Sequence, residues 1–242
     1  MTDVGFSDLS ALFLNCSLKR DPSESHTMRL VQRAAGIMEA EGVAVEVVHA
    51  LDHRIPFGMD KDMTEHSAPV DDWPMIQDRI EAADILVVGS PIWLGAKSSV
   101  ATLAIERMYA NSAETNDRGQ YVYYGKTAGC VVTGNEDGVK AVARDVLYAL
   151  QHIGYVIPPG ADCGWLGSIG PGPSYGDEID GQTTPAGYDS EFTNKNCTVM
   201  AWNLMHTARM LRDRGGFPTE GNTVGEWSHV TNAADQNPEY RS

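Results

Sequence analysis

Three stretches of the chain share one pattern, in which a largely apolar segment breaks into a polar loop and an amphipathic segment follows. The apolar segments span residues 11–14, 83–88 and 127–132, and their short apolar runs are typical of parallel strands covered on both faces. Apolar residues then recur at helical spacing after each loop. The three stripes are Leu30, Ala34, Ile37 and Met38; Val100, Leu103, Ala104 and Met108; and Val139, Val142, Val146, Leu150 and Ile153. This alternation predicts an α/β fold built on a parallel sheet.

The first loop, residues 15–27, is rich in hydroxyl groups and leads into a helix N-terminus. Backbone N–H groups and the positive end of the helix dipole collect there, and Ser17, Ser23, Ser25 and Thr27 can add O–H donors. The combination predicts a site for a phosphorylated ligand. The alternative is that these hydroxyls only cap the helix and form turns.

The absence of glycine from the first loop helps to decide which kind of phosphorylated ligand the loop binds. Residues 15–27 contain no glycine, whereas a dinucleotide-binding turn requires G-x-G-x-x-G at this place. The triplet Gly125-Lys126-Thr127 suggests a P-loop, but Gln120 stands where its first glycine is required, and the triplet precedes a strand. A glycine-free loop of hydroxyls instead fits the terminal phosphate of a mononucleotide such as FMN at the switch point of the sheet.

The loops after the second and third apolar segments carry glycine and aromatic residues. In residues 89–99, Pro91 stiffens the turn, Trp93 offers a rigid aromatic surface, and Gly95 lets the backbone approach a flat ring. Residues 133–138 follow the third segment. Because parallel strands end at one edge of a sheet, we expect all three loops to converge on one crevice.

These features together resemble the NADPH-dependent FMN reductase and iron–sulfur flavoprotein branch of the flavodoxin-like superfamily, over about residues 10–165. The marks are the hydroxyl-rich first loop, Ser90-Pro91-Ile92-Trp93 with Gly95 and Ser98, and Thr133-Gly134-Asn135. The resemblance implies a flavodoxin-like, doubly wound sheet of five parallel strands in the order 2-1-3-4-5. It also implies that the first loop binds the FMN phosphate through Ser17, Lys19, Ser25, His26 and Thr27. The isoalloxazine ring would be lined by Pro91, Ile92, Trp93, Leu94, Gly95, Thr133, Gly134, Asn135 and Gly138.

The four cysteines, Cys16, Cys130, Cys163 and Cys197, are far apart in the sequence, whereas an iron–sulfur cluster needs a close set. We therefore expect no cluster. Cys16 and Cys130 are interpreted as small buried side chains, with a reactive thiol as the alternative. No secretory signal, membrane span or lipidation motif is evident, so the chain is expected in the cytoplasm with reduced thiols.

Two polar segments carry further side chains of interest. The segment around residues 50–72 includes His49, Asp52, His53 and His66. A set of this kind without regular spacing is more often solvated than metal-ligating, so we predict no metal site. The segment 109–125 includes Tyr121, Tyr123 and Tyr124, which we interpret as packing or subunit contacts.

The largest insertion, residues 164–191, separates a short fifth strand from a last helix near residues 194–213 and is rich in glycine and proline. We interpret it as a lid or an oligomer arm reaching over the flavin site, with disorder as the alternative. Residues 1–214 are predicted to form the FMN-binding domain. Residues 215–242 are predicted to form an extended tail that could serve as an arm of a homodimer or homotetramer.

A formal net charge of −15 argues against nucleic acid or an anionic membrane as a partner. The predicted function is FMN-dependent oxidoreduction: NADPH or NADH gives hydride to bound FMN, which passes electrons to a small-molecule acceptor such as a quinone or free flavin. We assign no catalytic side chain, because the cofactor carries the chemistry. The alternatives are a flavodoxin-type electron carrier and a non-catalytic flavin-binding or storage protein.

Overall fold

The computed structural model describes residues 5–135, 137–170 and 172–224, which form a parallel sheet with helices on both faces. The strands are β1 Ser10–Asn15, β2 Ala44–His49, β3 Ile85–Trp93, β4 Ala96–Lys97, β5 Thr127–Gly134 and β6 Asp162–Leu166. The helices are α1 His26–Ala40, α2 Trp73–Ala82, α3 Ser99–Ala110, α4 Val139–His152 and α5 Glu191–Asp213. Short 3₁₀ turns lie at Pro22–Glu24, Ala50–Asp52 and Met63–His66.

The sheet has the order β2-β1-β3-β5-β6, and all of these neighbours pair in parallel. This is the predicted 2-1-3-4-5 arrangement, which is thereby confirmed. The two-residue strand β4 was not predicted; it pairs antiparallel with the end of β3, Ile92 opposite Lys97 and Trp93 opposite Ala96. Residues predicted as the second loop therefore continue β3 as half of a hairpin.

The core consists of two apolar layers, one on each face of the sheet. Side chains alternate along β1, so that Leu12 and Leu14 join the layer beneath α2, α3 and α4, whereas Phe13 joins the layer beneath α1 and α5. Both faces are thus covered, as the unbroken apolar strands predicted. A ligand consequently finds the sheet accessible only at the ends of its strands.

The insertion is held in place through Tyr175, which is 1% exposed and belongs to the core layer of α1 and α5. Its ring packs edge-on against Trp165 at 5.8 Å between centroids and in a tilted arrangement against Tyr188 at 5.2 Å. Burial raises the pKa of the Tyr175 phenol to about 12. The part of the insertion that the structure describes is therefore tied to the domain, and helix α5 begins at Glu191, three residues earlier than predicted.

The first residues of the predicted tail fold back onto the same chain. Phe217 packs edge-on against Tyr124 at 6.1 Å, and the N–H of Val224 donates to the carbonyl of Gly119 at 2.8 Å. The remainder of the tail, 225–242, lies outside the described residues. The division of the chain after residue 214 stays a prediction.

The side chains of the two polar segments differ in burial and in contacts. Tyr123 is fully buried, stacks on Tyr155 at 5.0 Å and donates its hydroxyl hydrogen to the carbonyl of Met108 at 2.9 Å, so it serves packing as predicted. His66 lies on the surface 3.5 Å from Asp60. His49, in contrast, is not solvated: it ends β2 and is 4% exposed.

All four cysteines are buried free thiols. Burial raises the pKa of Cys16 to about 12 and raises that of Cys130 further, so neither is poised as a thiolate. Within 5–135, 137–170 and 172–224, no group of three or more His, Cys, Asp or Glu side chains is arranged to hold a metal ion. In the same ranges, no helix has the length and apolar character needed to cross a membrane.

A buried ion pair fixes the long connection between β2 and α2. Arg107 of α3 donates to Asp71 at 2.7 Å, to the carbonyl of Pro56 at 2.9 Å, and to the carbonyls of Asp60 and Lys61 at 3.1 Å. Both charged side chains are fully buried. The guanidinium thus binds three separate parts of this connection, at residues 56, 60–61 and 71, and holds them together.

The Asp71 carboxylate accepts hydrogen bonds from several sides. Burial alone would raise its pKa, but hydrogen bonds from Arg107 and from the N–H groups of Met63 and Trp73 outweigh burial and hold the pKa below its usual value. The pair therefore stabilises the fold when the carboxyl group is ionised.

The variant Asp71→Asn should lower the free energy of unfolding by about 3–5 kcal/mol at pH 7, because it leaves a buried guanidinium without its counter-charge. Urea denaturation measures the change. Since the folded-state pKa is depressed, the pair contributes fully above the unfolded pKa of 3.8 and its contribution is lost as pH falls through the folded pKa. The gap between wild type and variant should therefore narrow in acid.

Asp78→Asn, an exposed carboxylate on α2, is the matched control and should change stability by less than about 0.5 kcal/mol. Equal stability of wild type and Asp71→Asn at pH 7 would show that the pair does not hold the connection.

Candidate functional site

The three predicted loops meet at the carboxyl ends of β1, β3 and β5. The hydroxyl of Ser98 donates to the carbonyl of Cys16 at 2.7 Å, which joins the β3–β4 hairpin to the loop after β1. The hydroxyls of Thr27 and Thr133 lie 2.8 Å apart, which joins the start of α1 to the end of β5. Both links are buried, so the first loop is fixed against the other two.

The hydroxyls of the first loop divide into structural and available groups. Ser25 is the N-cap of α1, and its Oγ accepts the N–H of Met28 at 3.0 Å. Ser23 is exposed and both its N–H and its hydroxyl donate to Asp21. Both serines thus make the capping and turn hydrogen bonds of the alternative interpretation, and a contact of Ser25 with a phosphate stays a prediction. The N–H groups of His26 and Thr27 open the helix and have no acceptor among the described residues.

Ser17 and Lys19 form the turn after β1. Ser17 is buried, and its Oγ accepts the N–H of Lys19 at 3.1 Å, which leaves the Ser17 hydroxyl hydrogen able to donate to a ligand. The carbonyl of Lys19 accepts a hydrogen bond from His49 at 2.9 Å. The Lys19 residue itself is exposed and places a positively charged side chain on this turn.

The β3–β4 hairpin presents apolar side chains to solvent at its tip. Leu94 and Gly95 form the turn with φ of 51° and 75°, a left-handed conformation that is rare for leucine. Leu94 is 97% exposed and Trp93 is 54% exposed. The hairpin is braced at its base, where Ser90 Oγ accepts the N–H of Ser98 at 3.0 Å. A rigid turn thus exposes an aromatic and an aliphatic side chain beside the first loop.

The loop after β5 packs directly against this hairpin. A Cβ atom on Gly134 would lie 2.7–3.0 Å from the side chain of Ile92, and one on Gly138 would lie 3.0 Å from the Cα of Gly95. Gly138 also has a φ of 121°, which L side chains rarely adopt. Glycine at these places lets the loop pack closely against the hairpin, so that the two segments form one continuous surface at the strand ends.

The sequence predicted that the insertion reaches over the site, but not which of its residues make the contacts. Asn135 donates to the carbonyl of Pro173 at 3.2 Å and accepts from the hydroxyl of Ser174 at 3.1 Å. His26 Nδ1 lies 3.0 Å from the carbonyl of Tyr175 and 3.4 Å from Asp177. Asp177 also accepts from Arg29 of α1 at 3.3 Å. The insertion therefore borders both the first and the third loop, and its tyrosine was the one visible signal.

The structure thus assembles the residues predicted for the site on three neighbouring strand ends. Thr133 and Gly134 belong to the end of β5 itself, and Pro91, Ile92 and Trp93 to the end of β3, where the sequence predicted loops. Which of these residues contact a ligand stays a prediction.

Residues 9–164 match the family model described as NADPH-dependent FMN reductase. The chain belongs to this family. The resemblance inferred from the motifs is confirmed, and the chain is a member of an enzyme family whose name specifies a flavin. Its similarity to an oxidoreductase from Corynebacterium diphtheriae, with a TM-score of 0.52 and 17% identity over 84% of this chain and 98% of the other, supports the fold alone.

A relative from Streptomyces davaonensis, 8-demethyl-8-aminoriboflavin-5'-phosphate synthase, is 38% identical over 85% of this chain and 79% of its own length. A crystal structure of RosB with the bound intermediate 8-demethyl-8-formylriboflavin-5'-phosphate has a TM-score of 0.74 and 38% identity. That match covers 85% of this chain and 81% of the other. These similarities extend beyond residue 164 in coverage, so they include more of the chain than the family model does.

A third relative, a divalent metal cation transporter MntH from Mycobacterium bovis, is 53% identical over 86% of this chain. This chain spans only 30% of the length of that relative. The name describes the longer protein as a whole and assigns no activity to the matched part.

The variant Gly138→Ala should lower the free energy of unfolding by about 1–3 kcal/mol, because its Cβ meets the hairpin backbone at a strained φ. Gly170→Ala is the matched control, since Gly170 has a similar φ of 109° and no atom within 4 Å of the added Cβ. Thermal and urea unfolding compare the two. If both variants lose the same stability, backbone strain alone explains the result and the close approach is not important.

Proposed function

We propose that the chain is an FMN-dependent NAD(P)H oxidoreductase that passes electrons from a nicotinamide to a small-molecule acceptor such as a quinone or free flavin. The observation that carries this proposal is the junction of a helix N-terminus with the continuous surface of the hairpin and the loop after β5 at the strand ends, in a member of the NADPH-dependent FMN reductase family. The first feature suits a phosphate and the second suits a flat ring.

The phosphate end of FMN fits the start of α1. The N–H groups of His26 and Thr27, the hydroxyl of Ser17 and the positive end of the helix dipole all favour an anion at this place. Lys19 places an exposed cation on the turn after β1. Hydrogen bonds from these neutral groups to a charged phosphate are stronger than those to a neutral hydroxyl.

The ring end of FMN fits against the surface that the hairpin and the loop after β5 form together. Gly134 and Gly138 let the two segments pack closely, and Gly95 carries no side chain at the hairpin turn. Trp93 and Leu94 offer exposed apolar surface next to it. A planar ring that packs there would cover part of this surface and gain aromatic contact with the indole.

Bound FMN supplies the two-electron chemistry, so the chain's own task is to hold and shield it. The three strand ends are fixed to one another by buried hydrogen bonds before any ligand arrives. The insertion, fastened to Asn135 and His26, is placed to exclude water from one side of the crevice. Self-association of the chain stays a prediction.

A second candidate function treats the flavin phosphate as the substrate. The name of the Streptomyces davaonensis relative and the intermediate bound to RosB both denote riboflavin phosphates altered at position 8. The 38% identity and TM-score of 0.74 favour a common site. Mass spectrometry of the flavin recovered after turnover separates the two: an unchanged FMN supports the cofactor role, and an altered ring supports the substrate role.

The protein should bind FMN more than tenfold more tightly than riboflavin, because each hydrogen bond to a charged group contributes about 1.5–3 kcal/mol. Fluorescence titration measures both dissociation constants. Ser17→Ala, which removes the free hydroxyl donor, should weaken FMN and leave riboflavin almost unchanged. Ser23→Ala is the control, because this exposed serine of the same loop donates its hydroxyl hydrogen to Asp21. Equal affinities of wild type for the two flavins would refute the phosphate site.

Anaerobic mixing of the FMN-loaded protein with NADPH or NADH should bleach the flavin absorbance in a stopped-flow instrument. The reason is that a fixed, partly open crevice lets a nicotinamide approach the ring within reacting distance. If neither nucleotide reduces the bound flavin, the carrier or storage alternative replaces the reductase.

A further inference from the structure

His49 connects three parts of the phosphate side of the site. It is the last residue of β2 and lies opposite Asn15, the last residue of β1, in the parallel register. Both side chains are buried. Asn15 Nδ2 is 2.9 Å from His49 Nδ1, and His49 Nε2 is 2.9 Å from the carbonyl oxygen of Lys19 in the first loop.

The chemistry of the two partners determines the protonation of the ring. A carbonyl oxygen only accepts, so Nε2 must carry a hydrogen and donate it to Lys19. An amide nitrogen only donates, so Nδ1 must accept from Asn15 with its lone pair. With the Asn15 amide nitrogen facing the ring, the geometry matches the Nε2–H tautomer of His49, in which hydrogen bonds run in one direction from Asn15 through His49 to Lys19.

This arrangement holds the first loop at both backbone groups of one residue. The N–H of Lys19 donates to Ser17, and its carbonyl accepts from His49. The turn from Ser17 to Lys19 is thus shaped without a ligand, which reduces the ordering that binding would otherwise require. Because Ser17 Oγ is the acceptor of this turn, the Ser17 hydroxyl hydrogen remains available to donate to a ligand.

We propose that His49 is a positioning residue for the phosphate loop, acting through the Lys19 carbonyl and oriented by Asn15. This inference rests on the proposed function, in which the loop receives the phosphate of FMN. It also explains the burial of a histidine that the sequence grouped with possible metal ligands: its two ring nitrogens are both engaged within the protein.

The test compares FMN and riboflavin affinities of the full chain by fluorescence titration. His49→Phe keeps a buried ring but removes both hydrogen bonds, so the preference for FMN over riboflavin should fall by about three- to tenfold while riboflavin binding is unchanged. His49→Gln should restore part of the preference, because its amide N–H can donate to Lys19. His53→Phe, a neighbouring histidine outside this set of hydrogen bonds, is the control and should behave as wild type.

The outcomes separate this inference from the proposed function. If wild type binds both flavins equally, the phosphate site itself is wrong. If wild type prefers FMN and a folded His49→Phe keeps the full preference, the positioning role is overturned. Nitrogen NMR of His49 gives a test that needs no variant: the neutral Nε2–H pattern supports the inference, and an Nδ1–H or doubly protonated ring refutes it.

Discussion

A parallel sheet covered on both faces leaves a ligand only the ends of its strands, and the organisation of this molecule depends on that constraint. Leu12 and Leu14 enter one core layer and Phe13 the other, so no side of β1 is free along its length. The strand can contribute to a site only through the loop after Asn15. The same holds for β3 and β5, whose ends carry the hairpin and the glycine loop.

Three loops that meet at one edge of a sheet do not by themselves leave room for a ligand, because their side chains would ordinarily fill the space. In this structure, glycines and small hydroxyl side chains at the contacts between the loops take up little of that space. Glycines at 134 and 138 let two backbones touch. The hydroxyls of Thr27 and Thr133 join the start of α1 to the end of β5 through one short buried hydrogen bond, without a large side chain. The loops are thereby fixed to one another without large side chains at their contacts.

The sequence predicted those features that depend on local patterns. The apolar run of β1 and the stripe of Leu30, Ala34 and Met38 are visible because burial on both faces or on one helix face has a fixed period. The N-cap at Ser25 is equally local. The extension of β3 through Trp93 was missed because it depends on pairing with Ala96 and Lys97, and proline in the run favoured a turn.

Site features that depend on register were beyond the sequence. His49 is buried because β2 ends level with Asn15, and nothing in the local sequence of a strand reveals where its neighbour ends. The contacts of Asp177 and Ser174 with α1 and Asn135 depend likewise on the path of a loop whose glycines and prolines allow many paths. The local sequence therefore identified residues that lie at the site, whereas the residues that they contact are determined by the tertiary structure.

The burial of Tyr175 limits how the crevice can open. The segment that borders the site carries a side chain of the core, so swinging the whole segment outward would expose the phenol ring to water. Burial of a large aromatic side chain is worth about 1.5–3 kcal/mol, which corresponds to an open population of roughly a few per cent or less. Any opening of this side of the crevice that keeps Tyr175 buried is therefore limited to movements of the residues next to it.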